Sequence, residues 1–307
     1  MSPVIEVRRL HKRYRETVAV DDISFDVQEG EIFGILGPNG AGKTTTVECI
    51  EGLKNPDRGE VSVLGLNPRH ERSELTQRLG VQLQDSQLPD KLRVDEALDL
   101  YSSFYRNPAD WRSLLELLGL KDKAKTRFGK LSGGQKQRLS IALALVGTPQ
   151  IAIMDELTTG LDPAARHETW ELIENVRDRG VTIVLVTHFM EEAERLCDRV
   201  ALIDSGRVVA IDTPANLADG VETEQRIQFR PSVPLPHHLL ESLPDVTSVI
   251  YRGDVVVVTG NSNALNAVTS ALARNQIVAR QLRVDQANLE DAFLALTGRP
   301  APERQGA

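Results

Sequence analysis

Nine consecutive residues, Gly37-Pro38-Asn39-Gly40-Ala41-Gly42-Lys43-Thr44-Thr45, carry the groups needed to hold a triphosphate. They fit the spacing G-x-x-x-x-G-K-[ST] and stand between an apolar run, EIFGIL, and a helical pattern, TTTVECIEGL. Glycines let the backbone wrap a compact negative charge with its amide N–H groups pointing inward. A helix N-terminus adds a partial positive charge. Lys43 is placed to reach the β- and γ-phosphates, the Thr44 hydroxyl to ligate Mg²⁺, and Thr45 to lie near the α-phosphate. An ordinary glycine-rich turn has no need of Lys-Thr at this offset. A second run, Ile151-Ala152-Ile153-Met154-Asp155-Glu156, ends a buried type of strand with two carboxylates. In open α/β sheets, ligands bind just outside that end. Asp155 suits Mg²⁺, bound through water because that ion keeps several. Glu156 can orient and deprotonate a water that attacks the γ-phosphate. Alone, the pair could be a solvated strand end; beside the first segment it reads as catalytic.

A third run is Leu131-Ser132-Gly133-Gly134-Gln135-Lys136-Gln137-Arg138. Ser132 with Gln135 three positions on fits a helix capping box. Capping does not explain Gly133 and Gly134, which each cost a helix about 1 kcal/mol against Ala. Such a cost points to close backbone approach by something else, and a bare helix N-terminus suits an anion.

These residues need a parallel sheet to hold them. VIEVRRL, AVDDISFDV and EIFGIL read as strands, and QIAIM and VTIVLVT as short buried ones. Helices are predicted over 94–120 (broken at Pro108, with Asp110 as an N-cap), from Ser132 to Val146, over PAARHETWELIENVRDRG and over MEEAERLC. A hairpin, RVALIDSGRVVAID, turns at Ser205-Gly206. Alternating strands and helices mean an α/β domain, and the antiparallel elements at its start and end predict a mixed sheet. The alternating charges of 69–79 read as a solvated helix face.

A boundary is expected near Gly220, giving an ATP-type domain over 1–220, an accessory α+β domain over 221–300 and a flexible tail over 301–307. Beyond the boundary lysine is absent, and strand QRIQF, helix HHLLESL, strands TSVIY and DVVVVTG, helix NALNAVTSALARN, strand IVARQLRV and helix LEDAFLAL follow. That order is close to a ferredoxin-like split βαβ. His237-His238 reads as surface, because adjacent side chains point apart. The 307 residues carry 36 Lys plus Arg against 44 Asp plus Glu, a net charge of −8. That balance argues against nucleic acid as a partner and against direct adhesion to anionic lipid. The amino terminus lacks the apolar core of a signal peptide, so the chain is expected in the cytosol. Cys49 and Cys197 cannot form a disulfide framework.

LSGGQKQR, together with GPNGAGKTT and the aspartate-glutamate strand, closely resembles the ATP-binding cassette (ABC) transporter ATPases over about residues 4 to 215. The resemblance implies a P-loop fold with a mixed sheet core and a helical subdomain, and ATP and Mg²⁺ as ligands. It also implies a homodimer in the ATP-bound state. Each ATP would lie between GPNGAGKTT of one copy and Ser132, Gly133, Gly134, Gln135 and Asp162 of the other. Tyr14 looks like the residue that stacks on adenine, and His188 like the histidine that bonds the γ-phosphate. Gln84 looks like the glutamine that contacts Mg²⁺ and the attacking water, with Gln82 a rival on the same strand face. Leu157 departs from the proline usual there and is expected to loosen its loop without removing a catalytic group. LEDAFLALTG resembles the end of drug-resistance subunits of the daunorubicin/doxorubicin type, which energise an exporter whose membrane permease is a separate chain. The expected place is therefore peripheral, on the cytoplasmic side of the membrane, with the permease docked near residues 85–120 and Leu88-Pro89-Asp90. The alternative class is a non-transport ABC ATPase that remodels a soluble complex. Such proteins carry paired cassettes or long coiled-coil insertions, which this chain lacks.

Overall fold

The computed structural model describes residues 3–82, 88–220, 225–236, 238–261, 263–285 and 288–298, in two compact units, Met1–Pro214 and Ala215–Ala307. In chain order the first contains β1 (Ile5–Tyr14), β2 (Thr17–Val27), β3 (Ile32–Leu36), α1 (Lys43–Ile50), β4 (Arg58–Val63), α2 (Arg72–Leu75) and β5 (Leu79–Gln82). There follow α3 (Val94–Ser102), α4 (Trp111–Leu117), α5 (Gly133–Leu145), β6 (Ile151–Asp155), α6 (Pro163–Arg177), β7 (Thr182–Thr187), α7 (Met190–Leu196), β8 (Arg199–Asp204) and β9 (Arg207–Asp212). Helix α8 (Pro214–Asp219) spans the division between the units.

Six strands form one sheet in the order β5-β6-β7-β3-β8-β9. All neighbours run parallel except β8 and β9. Strands buried on both faces read as unbroken apolar runs rather than alternations, and β3 and β7 are buried at every residue. The amino-terminal strands do not join this sheet. They make a separate antiparallel one, β2-β1-β4, so the mixed sheet has only its β9 edge antiparallel. The two sheets share a core in which Phe25 stacks on Phe33 at 5.3 Å. Register sets the site. Leu36 lies beside Thr187 and Asp155 beside Val186, so the turns after β3, β6 and β7 emerge together at one edge.

Helices α3, α4 and α5 form the helical region, with Asp110 capping α4 as expected. Helix α5 is buried at every position from Leu139 to Leu145, which suits a helix packed on all sides by β5, β6, α3, α4 and α6. Of the predicted helix face over 69–79, only the single turn α2 is helical.

The second unit holds β10 (Gln225–Pro231), β11 (Val246–Arg252), β12 (Val255–Gly260), α9 (Ala264–Arg274), β13 (Ala279–Asp285) and α10 (Leu289–Thr297). Its sheet is fully antiparallel in the order β11-β12-β10-β13. The predicted helix HHLLESL is not formed: the described residues 238–242 make turns. Pro236 and Pro244 bracket it, too few residues to repay helix nucleation. Its apolar residue Leu240 is nevertheless fully buried in the unit's core. His237 and the tail 301–307 lie outside the described residues.

Candidate functional site

The loop after β3 turns on two glycines with no room for a side chain. A Cβ on Gly37 would lie 2.0 Å from the Ile203 carbonyl oxygen, and one on Gly42 2.3 Å from that of Ala19. Gly42 has φ 102° and precedes α1 directly. This is where a glycine is obligatory and where the chain enters the helix. Pro38, Asn39, Gly40 and the buried Ala41 complete the loop. The Lys43 ammonium is buried and donates to the Gly37 and Pro38 carbonyls at 2.7 and 3.1 Å. Burial lowers its pKa, opposed by the charges of Glu156 and Asp155, so the three groups share one electrostatic site. Thr44 is exposed, Thr45 half-buried, and Thr46 spends its hydroxyl on the Gly42 carbonyl at 2.9 Å.

Across the edge, Asp155 ends β6. Burial pushes its carboxyl up to about 6, Glu156 adds to this, and Lys43 opposes it. Glu156 has a left-handed backbone, φ 47°, with its N–H donating to Val186 O at 2.8 Å. For a residue with a side chain this conformation costs about 1–2 kcal/mol. Such strain persists where surrounding structure enforces it, often at functional sites. The Glu156 carboxylate is 11% exposed, with Oε1 3.1 Å from His188 Nδ1 and Oε2 accepting from Thr159 Oγ1 at 3.4 Å. Neither the strain nor this pair was legible in the sequence, although Glu156 and His188 each were. Leu157 is fully buried, so the position is held by apolar packing where a proline ring would otherwise stiffen it.

Gln82 is 3% exposed and its Oε1 accepts the Asp155 N–H at 3.1 Å, bracing the acidic strand end. Gln84 lies outside the described residues. Tyr14 is exposed at the end of β1, with Lys12 and Lys54 5.6 and 6.0 Å from its ring centre. Cations over an aromatic face are mildly attractive.

The α5 terminus forms the expected capping box. Gln135 N donates to Ser132 Oγ at 3.3 Å and Ser132 N to Gln135 Oε1 at 3.0 Å. A Cβ on Gly133 would meet nothing within 4 Å, and one on Gly134 only an ordinary contact with Ala165 at 3.6 Å. Packing among the described residues therefore does not require either glycine. Asp162 is exposed and caps α6, accepting from Ala165 N at 3.0 Å.

The donors fit the ligands. Thr44 and Asp155 offer hard oxygens, and Mg²⁺ typically takes one or two carboxylates plus substrate phosphates rather than an all-protein cage. No cluster of three or more His, Cys, Asp or Glu that could hold a metal exists among the described residues. A cavity of about 600 Å³ opens at the opposite ends of β6 and β7, beside Gln150 and Thr182, away from all of these groups.

A parallel sheet with a lysine-bearing glycine loop after one strand and an acidic tip on another defines a P-loop nucleoside triphosphatase. Residues 20–159 match the ABC transporter family. The Nod factor export ATP-binding protein I of Burkholderia pseudomallei (strain 1710b) is 39% identical over 302 residues, 96% of this chain and 97% of that one. Its counterpart from Rhizobium etli is 40% identical over 306 residues, 96% and 93% of the two chains. A solved ATP-binding subunit of an ABC transporter superposes with a TM-score of 0.64 at 30% identity, over 71% of this chain and 92% of its own. A dimeric ATP-binding cassette in a post-hydrolysis state with ADP and Pi gives 0.61 at 27% identity, over 68% and 98%. The chain belongs to the ATP-binding subunits of ABC transporters and is an ATPase coupled to transport. Subunits of this family dimerise and work with membrane permeases.

Proposed function

We propose that this chain is the motor of an exporter that moves a drug, antibiotic or lipid-like molecule through a separate membrane permease. The direction of transport rests on relatives named for export and on the drug-resistance likeness of LEDAFLALTG. No described helix is long and apolar enough to cross a membrane, so attachment goes through the permease, on the cytoplasmic side.

In this reading Gly37 to Thr45 and Tyr14 bind ATP. Thr44, Asp155 and Gln84 hold Mg²⁺, which when bound neutralises charge developing on the phosphates. Glu156 takes the proton of the attacking water. His188, 3.1 Å away, fixes that carboxylate and reaches the γ-phosphate. Ser132, Gly133, Gly134, Gln135 and Asp162 complete the site of a second copy. The observation that carries this is the helix tip, with Ser132 and Gly133 exposed and Gly134 half-buried, whose two glycines no packing among the described residues requires. Residues 1–220 form the ATP-binding domain and 221–300 an accessory domain, whose strand order is that of a ferredoxin-like fold with its first helix reduced to turns. The test is purification of the tagged full chain from membranes. A multi-span membrane protein should co-purify and raise ATP turnover. Recovery with a soluble ribonucleoprotein or DNA-repair complex instead would favour the remodelling class.

A further inference from the structure

Helix α7 carries a carboxyl group that the chemistry above does not use. Glu192 follows His188 by one helical turn and is fully buried. Its Oε1 accepts from the Trp170 indole N–H at 3.3 Å, which ties α7 to α6, the helix that Asp162 caps. Burial pushes the Glu192 pKa up; the Thr187 and Thr158 hydroxyls and the Trp170 indole face it and oppose that rise, as does the Arg166 charge. Thr187 ends β7 directly before His188. Its hydroxyl accepts the Phe189 N–H at 3.0 Å, which holds the loop that bears the histidine. Thr158 is also fully buried. It lies between Glu156 and Asp162, next to Thr159, whose hydroxyl reaches Glu156. Glu192 therefore stands between the loop after β6 and the loop after β7. Two oxygens are left over there. Neither Thr158 Oγ1 nor Glu192 Oε2 completes a hydrogen bond among the described residues, although the two side chains face each other. Buried polar atoms without partners are costly and rare in native proteins. These two are a donor and an acceptor that a small shift of either loop would join.

We propose that Glu192 is a positioning residue, and that Thr158 Oγ1 donates to Glu192 Oε2 when ATP closes the site, so that the His188 loop and the Asp162 loop move as one. In the reading above, His188 bonds the γ-phosphate and Asp162 meets the second copy. The bond therefore carries the presence of a γ-phosphate in one site to the surface that completes the other. A bond open in the resting chain and made in the closed form stabilises only the form that reacts. Binding of that kind raises kcat rather than affinity.

This inference rests on the proposed roles of Glu156, His188 and Asp162. Its test is steady-state ATP turnover of the full chain, with thermal unfolding of the same preparations. Thr158→Val keeps the shape of the side chain and removes the hydroxyl. Its kcat should fall by about tenfold with KM for ATP within about twofold. The nucleotide-free protein should melt at the same temperature or higher, because an unpartnered buried hydroxyl is gone. Glu192→Met should lose turnover to the same extent, and Glu192→Gln should retain most of it. Thr158→Val combined with Glu192→Met should be no slower than Glu192→Met alone, since both remove one bond. Wild-type kcat in Thr158→Val, or losses that add in the double variant, would overturn the proposal and leave Glu192 a packing residue. Glu156→Gln keeps the two readings apart. If it abolishes turnover while Thr158→Val does not, the loop coupling alone falls. If it turns over ATP like the wild type, the assignment of the site falls with it.

Discussion

Glu156 is held at φ 47° with one oxygen on His188 and the other on Thr159, so its carboxylate is aimed before any substrate arrives. Positioned general bases contribute about 10²–10⁴-fold to rate. Glu156→Gln keeps the shape and loses the proton acceptor. ATP turnover should drop by about a hundredfold or more while ATP affinity stays within a few-fold, read by phosphate release and nucleotide titration. Turnover near that of the wild type would remove Glu156 from the role. Asp155 makes a prediction on stability. Its carboxyl titrates at about 6 in the folded chain against the ordinary 3.8, because of burial first and Glu156 second. The native state therefore binds more protons than the unfolded chain between those values, and stability falls as pH rises through that window. Asp155→Asn should flatten this dependence and stabilise the nucleotide- and Mg²⁺-free protein at pH 7 by on the order of 1–2 kcal/mol. Urea unfolding from pH 4 to 8 measures it; parallel curves for the two proteins would refute the assignment.

At the scale of elements, the α5 tip separates stability from function. Gly134→Ala has room for its methyl, 3.6 Å from Ala165. It should stabilise the isolated subunit by about 1 kcal/mol. Where a triphosphate must approach the backbone from a second copy, the same methyl obstructs. Thermal unfolding should improve while turnover of the dimer falls; a gain in both would mean that the tip faces solvent throughout the cycle. The sequence made this tip, the glycine loop and the acidic strand legible because their chemistry depends on short, local spacing. It was silent on what depends on distant partners: the Gln82 hold on Asp155 and the His188–Glu156 pair. Periodicity also placed β1 and β2 correctly as strands yet could not assign their sheet, since alternation records burial and not the neighbouring strand. HHLLESL failed for the complementary reason. Its leucines do pack into a core, but two prolines leave them a turn to do it with.

At the scale of the molecule, the proposed ATP site is divided between two places on the chain. Lys43, Asp155, Glu156 and His188 converge at one sheet edge, whereas Ser132 and Gly133 stand exposed and Gly134 half-buried at a separate, capped helix end. Two copies arranged head to tail would bring the halves together, and opening after hydrolysis would drive the permease. Sedimentation velocity of Glu156→Gln with ATP and Mg²⁺ tests that pairing most directly. The account predicts a dimer that forms with ATP, dissociates when ATP is exchanged for ADP, and is lost when Ser132→Arg is added. A monomer under every nucleotide condition, with the permease present or not, would contradict it.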